Sequence, residues 1–175
     1  MKTIKVAIYS LILVALSSAN SIAQNCNFDV DKKDEFTGEH VRNVRVRIGT
    51  LMYSWWLLQE QKGPKYFLTI QATATGKVDD IITKGTKVLY KLKNDKVIEM
   101  VVSEDCIPSH SVQSGVIISM WLPKGEMPKE TMQQMSESPT TMIRINVGGK
   151  DFNAPSITGR EGKKIMENAQ CLLKD

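Results

Sequence analysis

Short segments in which apolar and polar residues alternate recur along this 175-residue chain, and turn-forming residues separate them. Alternation with a period of two is typical of a strand that has one buried face and one solvent face. It is clearest over Val44–Ile48 and Tyr66–Ala74. Because short turns join strands that run in opposite directions, this pattern favours a mostly antiparallel sheet.

Two hairpins are predicted from the turn residues between segments. Leu51–Leu58 is almost continuously apolar, and a Gln-Lys-Gly-Pro turn connects it to the strand that begins at Tyr66. Val88–Leu92 and Val97–Val102 form the second hairpin around an Asn-Asp turn. Two longer segments are predicted as single strands, Val112–Leu122 and Thr141–Val147.

Two segments change to a helical period. Residues 123–137 are rich in Glu, Lys, Gln and Met, and Pro128 suits a first helical turn. In Thr158–Leu172, Ile165, Ala169 and the final leucine share one face. About seven strands and two helices predict a single α+β domain. We expect a mostly antiparallel sheet, a short helix before its last strand, and an amphipathic C-terminal helix that covers one face.

The first 23 residues have the pattern of a cleaved signal peptide. Lys2 and Lys5 precede an apolar run over 6–16, and small residues stand at the −3 and −1 positions of a cleavage site before Gln24. The run is too short to cross the hydrocarbon core of a bilayer, about 30 Å thick, as a helix. We expect a secreted or periplasmic protein whose domain covers 24–175, with no transmembrane segment in the mature chain.

The charge of the mature chain is nearly balanced. Loss of residues 1–23 removes two lysines and no acidic residue, which lowers the formal charge from +4 to +2. A nucleic-acid-binding surface needs a clustered basic excess, and none is visible in the sequence. We therefore expect a protein or small-ligand partner rather than a nucleic acid, and no cofactor.

Three cysteines, Cys26, Cys106 and Cys171, belong to the mature chain. In an oxidising compartment they predict one disulfide and one leftover thiol, and all three pairings are open. Helical geometry places Cys171 about 200° from the centre of the predicted buried face of the last helix. A thiol on the outer side of a helix adds little to a core, so a disulfide is the structural role that we expect for it.

Several short motifs of the mature chain are found together elsewhere. Cys26 is followed by Asp-Glu-Phe-Thr-Gly at 34–38, by Lys-Gly-Thr-Lys at 84–87 and by Ile-Arg-Ile at 143–145. With a cysteine after the second hairpin and another in the final helix, the chain resembles a group of small exported Bacteroidota proteins of unknown function. The resemblance implies export and a single domain, and it implies no catalytic residue.

Catalysis is only weakly indicated. His110 lies between Ser109 and Ser111 and near Glu104 and Asp105, which supply the residue types of a nucleophile, a base and an orienting acid. There is no Gly-x-Ser-x-Gly motif, and a solvated loop is the favoured interpretation. His110 is therefore a weak catalytic candidate, and a non-enzymatic protein is favoured while the question of an enzyme stays open.

A calcium site is also weakly indicated. Asp29, Asp31 and Asp34 lie close together in the sequence, and carboxylate oxygens are the ligands that calcium prefers. The spacing of an EF-hand loop is absent because Lys33 takes the third ligand position. The favoured interpretation is a charged, solvated leader into the first strand, with no metal.

The aromatic residues are the remaining candidates for contact with a ligand or partner. Trp55 and Trp56 are neighbours on a predicted strand, so their side chains point to opposite faces. One belongs to the core; for the other, cover by a helix is favoured over an exposed binding role. Two functions stay open: a non-enzymatic binding or structural module, or a small-ligand carrier or hydrolase with a cavity lined by Tyr53, Trp55, Tyr66 and Tyr90.

Overall fold

Two antiparallel sheets and two helices make up the computed structural model, which describes residues 26–49 and 55–174. In chain order the elements are β1 (Val30–Lys33), β2 (His40–Ile48), β3 (Trp55–Lys62), β4 (Lys65–Thr75), β5 (Lys87–Leu92), β6 (Val97–Val101), β7 (Ser109–Gln113), β8 (Val116–Trp121), β9 (Lys124–Met127), α1 (Lys129–Glu137), β10 (Thr140–Val147), β11 (Lys150–Asn153) and α2 (Gly159–Leu172). The predicted α+β class, with a mainly antiparallel sheet and a C-terminal helix, is confirmed. The predicted signal peptide (1–23) and Tyr53 lie outside the described residues.

The larger sheet has the strand order β1-β2-β3-β4-β8-β7, and β9 also pairs with β4. The smaller sheet has the order β11-β10-β5-β6. They meet where β9 passes β6: a Cβ on Gly125 would overlap the backbone carbonyl of Val101, so only glycine permits this approach. The N–H of Ser103 donates to the Lys124 carbonyl at 2.9 Å and fixes the same junction.

The predicted single strand over Val112–Leu122 is wrong. The chain turns back at Ser114 and Gly115, whose φ angles are 50° and 78°, and forms the β7–β8 hairpin. Positive φ at both central residues is the geometry of a two-residue hairpin turn. The β-branched residues on either side of this Ser-Gly turn suggested one continuous strand, so the turn was not predicted from the sequence.

Three further elements differ from the prediction. The helix expected from residue 123 begins only at Lys129, because 124–127 form β9 and pair with β4. The polar leader contains the edge strand β1, which pairs with β2. The chain continues after Gly149 into β11. Strands β1 and β11 are short and mostly exposed, and such edge strands need no alternating apolar pattern, so the sequence did not indicate them.

One hydrophobic core fills the space between the sheets and the helices. The alternating residues of β2 and β4 point into it as predicted, and α2 packs on β2, β3 and β10. The helix buries the predicted face, with Ile165, Ala169 and Leu172 all at 0% exposure. Among the described residues, no helix is long and apolar enough to span a membrane.

The start of α2 is tied to the end of β2 by a single carboxylate. Thr158 caps the helix and forms a reciprocal capping box with Glu161. Oε1 of Glu161 also accepts the N–H of Gly49 at 2.8 Å. Partial burial opposes ionisation, but the N–H groups of Gly49 and Thr158 outweigh it and lower the pKa of Glu161.

Glu161→Ala is expected to lower the free energy of unfolding by about 1–2 kcal/mol at pH 7, because two backbone donors lose their acceptor. A lowered folded pKa means that the carboxylate contributes stability at neutral pH. This contribution disappears as the pH falls below the ordinary value of 4.5 and through the folded pKa. Urea unfolding at pH 7 and pH 3 measures both effects. An equal cost for Glu130→Ala, at an exposed position in the first turn of α1, would contradict this account.

Candidate functional site

A groove with a volume of about 470 Å³ lies beside α2, and we call it the α2 groove. Its first wall is the N-terminal segment (26–29), its second is β2 near Arg45, and its third is the side of α2 from Arg160 to Cys171. Charged and amide side chains dominate this lining. Three other cavities lined by described residues are smaller, at about 160 to 270 Å³.

The N-terminal segment is held in place at both ends. Cys26 forms a disulfide with Cys171, with a Cα–Cα distance of 5.5 Å. The N–H of Asp29 donates to the Asn43 carbonyl at 2.9 Å, which continues the β1–β2 ladder. These two links fix one wall of the groove against α2.

The disulfide explains the burial of Cys171. The sequence placed this residue on the outer side of α2, and it does lie outside the hydrophobic core cluster. Nevertheless only 4% of it is exposed. Its bonded partner, Cys26, belongs to the segment that closes this side of the helix. Cys171 therefore lies on the predicted face of the helix, but this face is covered by the N-terminal segment and is not open to solvent.

The groove side of α2 follows from the rotation of the helix. Burial of Ile165 and Ala169 fixes which face meets the core. Arg160, Lys164 and Cys171 then follow one another on a neighbouring stripe, because residues four or seven apart lie on the same side of a helix. Helical periodicity therefore aligns two cations along the groove.

The groove carries an excess of positive charge. Arg45 pairs with Asp29 at 3.7 Å, and Lys163 pairs with Glu167 at 3.4 Å. By contrast, neither Arg160 nor Lys164 forms an ion pair with a carboxylate of residues 26–49 or 55–174. Two uncompensated cations on one wall raise the local concentration of anions.

Asn168 adds a further donor at this wall. Its amide nitrogen is shielded from solvent and has no acceptor within the part of the chain that the structure describes. A buried donor without an acceptor costs about 1–3 kcal/mol. Arg160 and Lys164 present charged donors to the groove, and the matching chemistry is a group rich in acceptors.

A second, smaller cavity of about 220 Å³ lies on the outer face of the larger sheet, and we call it the outer hollow. Trp56, Leu58 and Leu122 give it an apolar lining, and Arg45 borders both this hollow and the α2 groove. The guanidinium of Arg47 lies 5.6 Å from the centre of the Trp56 ring. Trp56 is half-buried, and none of the residues that line the outer hollow with it belongs to a helix.

The other aromatic candidates belong to the core. Trp55 points away from Trp56, as predicted, and only 5% of it is exposed. Tyr66 and Tyr90 are 4% and 0% exposed and line neither the α2 groove nor the outer hollow. Burial raises the pKa of Tyr90. Three of the four residues of the predicted aromatic cavity therefore pack in the core, and Tyr53 lies outside the described residues.

His110 contacts a serine and an aspartate, though not those adjacent to it in sequence. Its Nδ1 lies 3.0 Å from Oγ of Ser119, and its Nε2 lies 3.0 Å from Oδ1 of Asp79. Ser119 Oγ donates to the Gly76 carbonyl at 2.7 Å and accepts the N–H of Val78 at 2.9 Å. The composition is that of a catalytic triad.

The geometry does not suit catalysis. Ser119 is 0% exposed, and its only proton is committed to the carbonyl of Gly76. A nucleophile must instead give its proton to the base and reach its substrate. The His110 contacts hold the β7–β8 hairpin against the loop before β5. Desolvation raises the pKa of Asp79, but hydrogen bonds from Lys77 and His110, together with the charges of these groups, lower it overall.

Cys106 carries the thiol outside the disulfide. Burial raises its pKa, although the N–H of Leu122, which donates to Sγ at 3.2 Å, acts in the opposite direction. The thiolate is the nucleophilic form of cysteine, and a raised pKa disfavours it at neutral pH. This residue therefore has the environment of a structural cysteine.

The three aspartates considered for calcium point to separate partners. Asp29 pairs with Arg45, and Asp31 contacts His40 at 2.5 Å. Asp34 accepts two backbone N–H groups of its own turn, which lower its pKa. Within the described ranges, no three His, Cys, Asp or Glu side chains come close enough to hold a metal.

The sequence did not single out the α2 groove, since its walls come from positions more than a hundred residues apart. The available signal was the four-residue spacing of Arg160 and Lys164 on a helix that also carries Cys171. Comparison with known protein families, curated proteins and solved structures finds no significant similarity to this chain.

Proposed function

We propose that this protein is an exported, non-enzymatic binding module whose α2 groove binds an anionic group of its ligand. The observation that carries the proposal is the pair of cations, Arg160 and Lys164, that face the groove without a carboxylate partner in the described chain. Excess cations beside a rigid wall favour anions electrostatically.

Export is supported by three features. A disulfide such as Cys26–Cys171 persists in oxidising compartments and is rare in the cytosol. The signal-peptide pattern over 1–23 favours the same location, as does the resemblance to small exported Bacteroidota proteins. We therefore place the protein in the periplasm or outside the cell.

A binding role is favoured over catalysis by the state of the nucleophilic groups. The hydroxyl of Ser119 is buried and donates to a carbonyl, and the Cys106 thiol has a raised pKa. Neither group lines the α2 groove. The groove itself offers cations and an amide, which recognise charge without making or breaking bonds.

Inorganic phosphate is the simplest probe of this proposal. Two charge-assisted hydrogen bonds, each worth about 1.5–3 kcal/mol, correspond to a dissociation constant on the order of 1 mM. We expect saturable chemical-shift changes in the amides of α2 and of the N-terminal segment when phosphate is added to the ¹⁵N-labelled mature protein. Neutralising Arg160 and Lys164 together, as Arg160→Gln and Lys164→Gln, should weaken binding at least about tenfold.

The matched control removes two positive charges elsewhere. Lys84 and Lys150 are exposed and lie outside the groove lining, so Lys84→Gln with Lys150→Gln lowers the net charge equally. This double variant should bind phosphate as the original protein does. Equal weakening in both double variants, or no saturable change in the original protein, would refute the proposal.

A further inference from the structure

The edge of the larger sheet is open next to the α2 groove. Strand β1 pairs with β2 only as far as Asn43, whereas β3 pairs with β2 as far as Ile48. Beyond Asn43 the N-terminal segment turns towards α2 and Cys171. In the described part of the chain, the 44–48 stretch of β2 therefore has a strand neighbour on one side only.

The backbone groups that face this open edge belong to the two arginines of β2. The carbonyl of His40 accepts an N–H from Gly63, on the β3 side, and the carbonyl of Asn43 accepts one from Asp29, on the β1 side. Alternate residues of a strand direct their backbone groups to opposite neighbours. The N–H and C=O groups of Arg45 and Arg47 consequently point to the open edge.

Positive charge flanks the edge on both faces of the sheet. The side chains of Arg45 and Arg47 lie on the outer face, opposite Leu58 and Trp56 in the β2–β3 register. On the inner face, the α2 groove carries Arg160. Side chains of a strand alternate between the two faces, so both sets of side chains of an added strand would meet cations.

Such an edge favours an extended acidic segment over a compact ligand. Small-molecule sites are mostly apolar clefts with few polar groups, whereas charged side chains dominate the α2 groove. Strand addition obtains affinity from main-chain hydrogen bonds and specificity from alternate side chains. Here the backbone groups of the open edge supply the main-chain hydrogen bonds, and the flanking cations supply the specificity for acidic side chains.

We propose that an extended acidic segment of a partner protein adds as a strand to β2 at Val44–Ile48. Its backbone pairs with Arg45 and Arg47, and its carboxylates contact the cations on both faces. This inference rests on the proposed function, because it takes the α2 groove to be the anion-binding wall beside the added strand.

A labelled peptide tests the backbone pairing directly. The probe is fluorescein-labelled Thr-Glu-Glu-Val-Glu-Glu-Thr with a C-terminal amide, together with two versions N-methylated at odd or at even positions. The plain peptide should bind with a saturable rise in anisotropy. One N-methylated version should bind at least about tenfold more weakly while the other binds nearly as well, because only alternate N–H groups face β2. No saturable binding of the plain peptide, or equal binding of the two versions, would overturn the inference.

Two variants at one edge position separate pairing from charge. Arg47 does not line the α2 groove. Arg47→Thr removes the charge but keeps the N–H, whereas Arg47→Pro removes both. The ladder to β3 does not use this N–H, and proline is tolerated at such edge positions. The proline variant should bind the peptide at least about tenfold more weakly than the threonine variant, while both bind phosphate equally. Equal peptide binding by the two variants, with phosphate binding retained, would contradict strand addition and leave the proposed function intact.

Discussion

Replacing Cys26 with serine is expected to lower the free energy of unfolding by about 2–5 kcal/mol. The disulfide joins residues 145 positions apart, so it closes nearly the whole described chain into one loop. In the chain-entropy model, a loop of this length removes the equivalent of about 5 kcal/mol from the unfolded state. The bond also joins the N-terminal segment (26–29) covalently to α2.

Urea unfolding of Cys26→Ser and of the protein treated with a reductant measures this effect, and the two should agree. Cys106→Ser is the matched control, because Cys106 forms no disulfide and serine can also accept the N–H of Leu122. Its cost should be about 1 kcal/mol or less. A thiol assay should find one reactive cysteine in the unreduced, denatured protein and three after reduction. Equal stability of Cys26→Ser and Cys106→Ser would contradict the structural role of the bond.

Local patterns predicted those parts of the fold in which neighbouring residues determine the structure. The alternation over Tyr66–Ala74 correctly assigned the buried face of β4, since side chains of a regular strand alternate between its two faces. The apolar face of the last helix was likewise correct at Ile165 and Ala169. In both cases the period of the backbone decides which side chains reach the core.

The elements that were missed are those in which local pattern and structure disagree. Val112, Val116 and Ile117 are β-branched and read as a buried strand, yet the positive φ angles at Ser114 and Gly115 turn the chain and expose them. Strand β1 is fully exposed, and it forms because β2 offers it an edge to pair with. The conformation of such a segment depends on the strand with which it pairs, and the local sequence does not show which strand that is.

The candidate site was missed for a related reason. The α2 groove brings Arg45 beside Arg160, which lie 115 positions apart, and only the packing of α2 on β2 makes them neighbours. In the same way, Asp79 and Ser119 rather than the adjacent serines surround His110. The separation of the charged groups across the groove therefore depends on how closely α2 packs on the sheets.

Gly162 sets that distance. It is buried on the face of α2 that meets β10, and a Cβ at this position would overlap the backbone carbonyl of Thr140. The carbonyl belongs to a paired strand and cannot rotate away, so the helix must shift. Gly162→Ala is therefore expected to lower the free energy of unfolding by about 1–3 kcal/mol, the usual cost of overpacking a core. Chemical denaturation of the variant measures it.

A glycine-to-alanine substitution one turn earlier should instead raise the stability. Gly159 is the first residue of α2, and a Cβ there meets no atom within 4 Å. Gly159→Ala reduces the flexibility of the unfolded chain and suits a helix better, so it should raise stability by about 0.4–1 kcal/mol. Because the helix shift displaces Arg160 and Lys164, Gly162→Ala should also weaken phosphate binding, while Gly159→Ala should not. Equal stability of the two variants would show that α2 does not approach β10 as closely as the structure has it.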